Sequence, residues 1–179
     1  RQPDGREVWR SARPDPPGGH STPIVYDPPG GPLQVVAPGS FRMDNYAVAT
    51  GEIVSWVNGL PGEMKSGPVL VGDTIYVNGF SSPENDPGQQ VIVPPFADVL
   101  ARHDADKNGK ISPGEAPDER TRRYFTSIDL DEDGAADAGE WRIWINGSAS
   151  ENGLLAFRAG GRGDLTGKSL RWRYSRSVP

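Results

Sequence analysis

The chain has 179 residues, a length typical of one ordinary domain or two small ones. Its 23 glycines and 18 prolines favour short strands joined by turns over a helical bundle, and the absence of cysteine excludes disulfides, thiolate zinc sites and thiol nucleophiles. The net charge is -5, and 11 acidic against 5 basic residues between positions 104 and 140 account for it. The sequence contains neither a basic stripe that would bind nucleic acid nor an apolar run that would span a membrane.

Four short strands are predicted near the start of the chain. Apolar runs at 23–27, 33–37, 45–49 and 52–56 are separated by Pro-Gly, Gly-Ser and Thr-Gly turn signals. Short apolar runs separated by such turns are typical of antiparallel strands, so we expect these four to form one sheet.

A second set of four strands is interrupted by a long insert. Runs at 68–72 and 74–80 supply two strands, the chain then leaves the sheet, and runs at 154–159 and 169–174 complete the set. We therefore expect the insert between the second and third strands of this set.

The two sets resemble each other as repeats. Residues 50–56, Thr-Gly-Glu-Ile-Val-Ser-Trp, align with residues 166–172, Thr-Gly-Lys-Ser-Leu-Arg-Trp, at an offset of 116, and Pro23 aligns with Pro68 at an offset of 45. Trp9 closes a further short extended segment. A four-stranded unit of about 45 residues is typical of a propeller blade, which buries its faces only against neighbours. A single β-sandwich with accidental similarity is the alternative.

The first of two acidic loops in the insert spans residues 104–115. The calcium loop of an EF-hand has twelve residues, with oxygen donors at positions 1, 3, 5, 9 and 12, a backbone carbonyl at 7 and glycine at 6. Gly109 takes the turn position, and Ile111 at position 8 can pair with a neighbouring loop. The predicted calcium ligands are Asp104, Asp106, Asn108, Lys110 through its carbonyl, Ser112 and Glu115.

The second loop spans residues 129–140 and predicts a second calcium site. Gly134 takes the turn position, whereas Ala136 at position 8 is too small to pack like Ile111, which weakens the expected pairing between the loops. The five carboxylates at its ligand positions repel one another until a cation binds. The predicted ligands are Asp129, Asp131, Asp133, Ala135 through its carbonyl, Asp137 and Glu140.

Apolar residues spaced three and four apart predict helices that flank the loops and bury one another. One stripe precedes the first loop, one lies between the loops behind an Asp118 cap, and one follows the second loop. These stripes are Phe96, Val99 and Leu100, then Tyr124, Phe125 and Ile128, then Trp141, Trp144 and Ile145.

The pattern Ala-x-x-Thr-Gly-x-x-x-x-Trp at residues 47–56 resembles the repeat of pyrroloquinoline-quinone-like β-propellers, the quinoprotein type. In that family the Thr-Gly turn starts a blade's outer strand and the tryptophan docks between blades. The copy that ends at Trp172 is looser, with a longer turn before Thr166. The resemblance covers residues 7–179 apart from the insert, which is about two blades. Such propellers usually have about seven or eight blades, so the chain resembles a fragment of one.

The expected fold is therefore mainly β with an α-helical insert, as a partial β-propeller of about two four-stranded blades plus a tandem EF-hand. The expected divisions are a blade region at 1–80, the EF-hand pair at 81–151 and the completion of the blade at 152–179.

The expected function is calcium binding in a structural or scaffold role, with two Ca²⁺ sites and no catalytic residue. Sensing is the rival role, but sensors expose methionine-rich grooves, and the only methionines, Met43 and Met64, lie outside the insert. The resemblance also implies an alternative, a fragment of a pyrroloquinoline-quinone-dependent dehydrogenase, although no residue of these blades can be matched to a quinone site.

The expected partners are calcium ions, the remaining blades of the parent chain and a further protein, with no nucleic acid. The expected location is the periplasm or the exterior of the cell.

Overall fold

The computed structural model describes residues 4–13, 19–86 and 88–174. The chain forms two compact units. One comprises Arg1–Gln90 with Ser150–Pro179, and the other comprises Val91–Ala149. The second unit lies within the predicted insert, and the two units are described separately below.

The first sheet of the larger unit contains the four strands predicted near the start of the chain. Its strands are antiparallel from β1 to β4, and a fifth, two-residue strand, β8, pairs parallel to β4. β8 lies in a glycine-rich turn that the sequence does not mark as a strand. The bounds are β1 Ile24–Tyr26, β2 Gln34–Pro38, β3 Arg42–Ala47, β4 Ile53–Asn58 and β8 Gly163–Asp164.

The second sheet contains the other four predicted strands, in the order β5-β6-β7-β9 with antiparallel pairing throughout. The insert enters between β6 and β7, as the sequence predicts. The mainly β class is confirmed, and the strands in the described ranges do not form a closed barrel or propeller. The bounds are β5 Val69–Val71, β6 Thr74–Gly79, β7 Gly153–Arg158 and β9 Leu170–Tyr174.

One core lies between the two sheets because alternate residues of each strand point to the same face. Leu60 and Met64, in the connection from β4 to β5, are fully buried in it. The first sheet contributes Tyr26, Val36, Met43 and Val57, and the second contributes Ile75, Val77, Leu155 and Phe157.

The strand register corrects the predicted alignment of the repeats by one residue. β4 and β9 each contain one bulge residue, Val54 and Arg171. When the bulges are superposed, Trp172 aligns with Ser55, not with Trp56. A shift of one residue moves every side chain to the other face of a strand. The two tryptophans, which align at an offset of 116 in sequence, therefore occupy different faces of the repeat.

The face of the first sheet that points away from this core is partly covered by residues 4–13. The ring of Trp9 stacks on Tyr46 with centroids 6.3 Å apart, and its indole N–H donates to the carbonyl of Val48 at 2.8 Å. The Arg13 guanidinium donates to the carbonyl of Ala37 at 3.2 Å. The chain itself thus covers the core face of the first sheet and part of the opposite face, where Val25 is 60% exposed.

Replacing Gly51 by Ala should destabilise the larger unit by about 2–3 kcal/mol. Gly51 has φ +74°, and an added Cβ would lie 2.5 Å from the Trp9 ring. Gly72 is the matched control, since it has φ +59° with open space around the added carbon, and Gly72→Ala should cost only about 1 kcal/mol. Urea unfolding measures both variants, and equal losses would contradict the role of the Trp9 contact.

The smaller unit contains three helices and its own core. Asp118 caps α2 as predicted, accepting from the N–H of Thr121 at 2.6 Å. The predicted central helix is shorter than expected, since α2 ends at Arg123 and a 3-10 turn at Phe125–Ser127 follows it. The bounds are α1 Phe96–His103, α2 Glu119–Arg123 and α3 Ala138–Ala149.

The apolar faces of these helices bury one another. Trp141 is fully buried, lies 6.0 Å from the ring of Phe96, and donates its indole N–H to the carbonyl of Pro94 at 2.9 Å. The buried core of the unit is Val99, Ile111, Phe125, Ile128, Ala136 and Trp141. Among the described residues, no helix has both the length and the apolar character needed to cross a membrane.

Candidate metal centre

Each acidic loop begins where a helical segment ends. Asp104 follows α1 directly and its N–H donates to the carbonyl of Leu100 at 3.2 Å, which continues the helical hydrogen bonding into the loop. Asp129 follows the 3-10 turn and donates its N–H to the carbonyl of Phe125 at 2.9 Å. The first predicted ligand of each loop is therefore fixed to the preceding helical segment.

The two loops share one hydrogen-bond pattern at their first position. The carboxylate of Asp104 accepts from the N–H groups at positions 5 and 6 of its loop, at 3.1 and 3.0 Å. The carboxylate of Asp129 accepts the corresponding bonds at 3.1 and 2.9 Å. In each loop the N–H at position 7 also donates to the side chain at position 5, at 2.8 and 3.0 Å.

The last position closes both loops in the same way. Glu115 accepts from the N–H groups at positions 2 and 9 of its loop, each at 2.9 Å. Glu140 accepts the corresponding bonds at 2.7 and 2.9 Å. One carboxylate thus holds the start and the end of each loop together, which places its oxygens next to the side chains at the start.

The backbone turns are also repeated, at positions 4 and 6. Gly109 and Gly134 adopt positive φ, as the turn requires of position 6. Lys107 and Glu132 at position 4 also have positive φ, at 59° and 60°. The sequence gives no signal for this second strained position, because neither residue type is typical of left-handed backbone.

The loops are joined by a short antiparallel bridge at position 8. Ile111 and Ala136 exchange both backbone hydrogen bonds, at 3.0 and 2.7 Å, and neither side chain is exposed to solvent. The pairing expected to be weak at Ala136 is therefore formed, because the bridge is made by main-chain groups and does not need a large side chain.

Three carboxylates cluster in each loop. One oxygen from each member of a cluster lies within 4.8 Å of the others. Ligand oxygens at 2.3–2.6 Å from a calcium ion are at most about 5 Å apart, so both clusters have dimensions that fit this cation. The clusters are Asp104, Asp106 and Glu115 in the first loop, and Asp129, Asp131 and Asp133 in the second.

The other side chains predicted as ligands lie at their loop positions and form hydrogen bonds within the loop. Asn108 donates its amide to Asp106 at 2.9 Å, and the Ser112 hydroxyl donates to Glu115 at 2.8 Å. Asp137 accepts from the N–H groups of Gly139 and Glu140 at 2.7 and 2.9 Å, which caps α3. Side chains already bonded to the loop lose less rotamer freedom when they bind a cation.

A contact between the loops was not predicted from the sequence. Lys110, predicted as a ligand through its carbonyl, forms an ion pair with Asp133 through its ammonium group. The hydrogen bond to Asp133 raises the pKa of Lys110, and the same bond lowers the pKa of Asp133. No spacing rule links the two residues, since loop folding and the Ile111 bridge bring them together.

The pKa of Glu115 is lowered to about 2 from its usual 4.5, mainly by hydrogen bonds from the backbone and hydroxyl of Ser112 and from the Ala105 backbone. A lowered folded-state pKa adds stability that is present above the unfolded pKa and is lost as the pH falls through the folded pKa.

Without added cations, the smaller unit should therefore lose stability as the pH falls from about 4.5 to about 2. Stability should fall more steeply with decreasing pH in the unchanged chain than in the Glu115→Gln variant, because Gln cannot titrate. Urea unfolding in chelator at a series of pH values measures this difference. Parallel pH profiles for the two proteins would contradict it.

Comparison with known families and with curated proteins found no match to this chain. The assignment of the loops therefore depends on the spacing and geometry of the chain's own residues.

Proposed function

We propose that the smaller unit binds two calcium ions, one in each acidic loop. The observation that supports this most directly is the repeated hydrogen-bond pattern, in which positions 1, 5 and 12 of both loops accept the same backbone bonds. Side chains held in this way present oxygens to one another without a basic partner inside the first cluster. Hard oxygen donors in such numbers favour a hard cation.

Calcium is favoured over magnesium by the number and spacing of the donors. Each loop offers five side chains with oxygen atoms and a carbonyl at position 7, whereas magnesium requires a near-ideal octahedron at shorter distances and usually keeps several waters. A cation in the second loop would compete with the Lys110 ammonium for Asp133. The loops are therefore expected to differ in affinity.

The role supported best is structural. Cation binding would relieve the repulsion among the carboxylates and add its binding free energy to the folding of the insert. A sensor exposes a methionine-rich groove when calcium opens it, whereas the core of the smaller unit, formed around Val99, Phe125 and Trp141, contains no methionine. Both methionines lie in the core of the larger unit.

Calorimetric titration of calcium into the chain in excess magnesium tests the proposal. Two saturable sites are expected, and their dissociation constants separate a permanent structural site from a sensor site. No calcium-specific heat in either loop would contradict the proposal.

For the larger unit we propose a partial propeller as its architecture. Two successive sheets support this, since each contains four sequential antiparallel strands with a bulge at the same place, and a scaffold role follows from it. The described residues supply no observation that favours a quinone-dependent dehydrogenase, so no catalytic residue is proposed.

A further inference from the structure

The two acidic loops differ strongly in charge. Residues 104–115 contain three acidic and two basic residues, whereas residues 129–140 contain six acidic residues and no basic one. Like charges this close together destabilise the folded state unless a positive charge lies among them. In the absence of calcium, the second loop therefore needs a positive charge from outside its own twelve residues.

A lysine of the first loop supplies this charge. Lys110, at position 7 of the first loop, directly precedes Ile111, which exchanges two backbone hydrogen bonds with Ala136 of the second loop. This bridge brings the Lys110 side chain to the second loop, where its ammonium group forms an ion pair with Asp133. The contact is therefore a consequence of the way in which the two loops pair.

The charge of Lys110 acts on the second loop although the residue belongs to the first. The hydrogen bond to Asp133 is the main cause of the raised pKa of Lys110, and the charges of Asp131 and Asp137 add to it. All three carboxylates belong to the second loop. The side chains of Lys110 and Asp133 are 36% and 38% exposed, so water screens this pair less than it screens a fully exposed pair.

The carboxylate that Lys110 contacts is also part of the predicted cation site. Asp133 is one of the three acidic residues of the second loop whose oxygens lie within 4.8 Å of one another. A calcium ion bound by these three residues would share the Asp133 carboxylate with the ammonium group, and two cations on one carboxylate repel each other. Calcium binding at this loop is then an exchange of one cation for another.

We propose that Lys110 is a built-in counter-cation of the second loop, which holds Asp133 in the calcium-free state and is displaced when calcium binds there. The inference rests on the proposed calcium sites and adds a form of regulation to the second one. Lys110 lowers the calcium affinity of the second loop and stabilises the calcium-free fold. A residue of the first loop thus sets the calcium concentration at which the second loop fills.

Replacing Lys110 by Met tests the proposal, because Met removes the charge but keeps an unbranched side chain and the backbone carbonyl at position 7. In the Glu115→Gln chain the first loop is disabled, so calorimetric titration of calcium reports on the second loop. There Lys110→Met should tighten calcium binding about fivefold, as expected for loss of a partly exposed ion pair. In the Glu140→Gln chain, which reports on the first loop, the same change should alter the affinity by less than about twofold.

The matched control is Lys107→Met. Lys107 is the other basic residue of the first loop, lies at position 4 and is exposed. In the Glu115→Gln chain its replacement should alter the calcium affinity of the second loop by less than about twofold, because salt screens the interactions of an exposed charge.

Stability without calcium gives a second readout, of opposite sign. In chelator, Lys110→Met in the otherwise unchanged chain should lower the melting temperature of the smaller unit by about 2–4 °C. Lys107→Met should change it by less than about 1 °C. A merely repulsive charge near the loop would weaken calcium binding but would not stabilise the calcium-free fold.

An effect of Lys110→Met on the second loop no larger than that of Lys107→Met would overturn the proposal. A calcium-free melting temperature that is unchanged or raised in Lys110→Met would also overturn it. Either result in a chain whose unchanged form binds two calcium ions leaves the proposed function intact. An unchanged chain that shows no calcium-specific heat would instead contradict both proposals.

Discussion

Replacing Glu115 and Glu140 together by Gln is expected to weaken calcium binding at both loops by at least about 100-fold, which corresponds to roughly 2.7 kcal/mol a site. Position 12 supplies a bidentate carboxylate in such loops, and Gln keeps the acceptor oxygen but loses the charge and the second oxygen. The backbone bonds from positions 2 and 9 should survive in part, so the loops should still fold. Calorimetric titration in excess magnesium measures the loss.

The matched control for this change is Glu132→Gln. Glu132 lies at position 4 of the second loop and carries the same charge, but its place in the loop is not a ligand position. Loss of this charge should weaken binding by less than about threefold, because interactions between exposed charges are screened by salt. An equal effect of Glu132→Gln and Glu140→Gln would mean that the acidic loop attracts cations without a defined site.

Saturating calcium is expected to raise the melting temperature of the smaller unit by more than about 10 °C. A ligand at 1,000 times its dissociation constant stabilises the folded state by about 4 kcal/mol a site, and a small domain gains about 4–8 °C for each kcal/mol. The large effect follows from repulsion in the second loop, where six carboxylates lie in twelve residues.

The indole N–H signals in nuclear magnetic resonance spectra can follow the two units separately. The Trp141 N–H, bonded to the Pro94 carbonyl, reports on the smaller unit, and the Trp9 N–H, bonded to the Val48 carbonyl, reports on the larger one. Calcium should raise the temperature up to which the Trp141 signal persists. This increase should be absent from the Glu115→Gln, Glu140→Gln double variant. A gain of the same size in the double variant would contradict binding at the loops.

The sequence by itself determined the strands and the two loops. Eight strands overlap the runs that apolar residues and turn signals predict, because a strand with one buried face imposes alternation on a few adjacent residues. The prediction was displaced at β3, which spans Arg42–Ala47 instead of 45–49. The loop positions were readable for a similar reason, since the ligand spacing of a twelve-residue turn is contained within the turn. Calcium binding itself remains a prediction from these positions.

The tertiary structure alone decided which residues meet across long stretches of chain. The ion pair of Lys110 with Asp133 and the docking of Trp9 on Tyr46 each depend on the folded path between the partners. The length of α2 was also not determined by the sequence, because the apolar stripe at Tyr124 and Phe125 fits a 3-10 turn as well as a helix.

The position of Trp172 shows most clearly why the sequence does not determine which face of a strand is exposed. Sequence alignment pairs Trp172 with Trp56, but the bulge residue lies directly before Trp172 in β9 and two residues before Trp56 in β4, so Trp172 is on the exposed side. A bulge is set by hydrogen bonding to the neighbouring strand, which the local pattern does not encode. Local periodicity therefore determined the elements, and pairing between strands determined which of their faces is open.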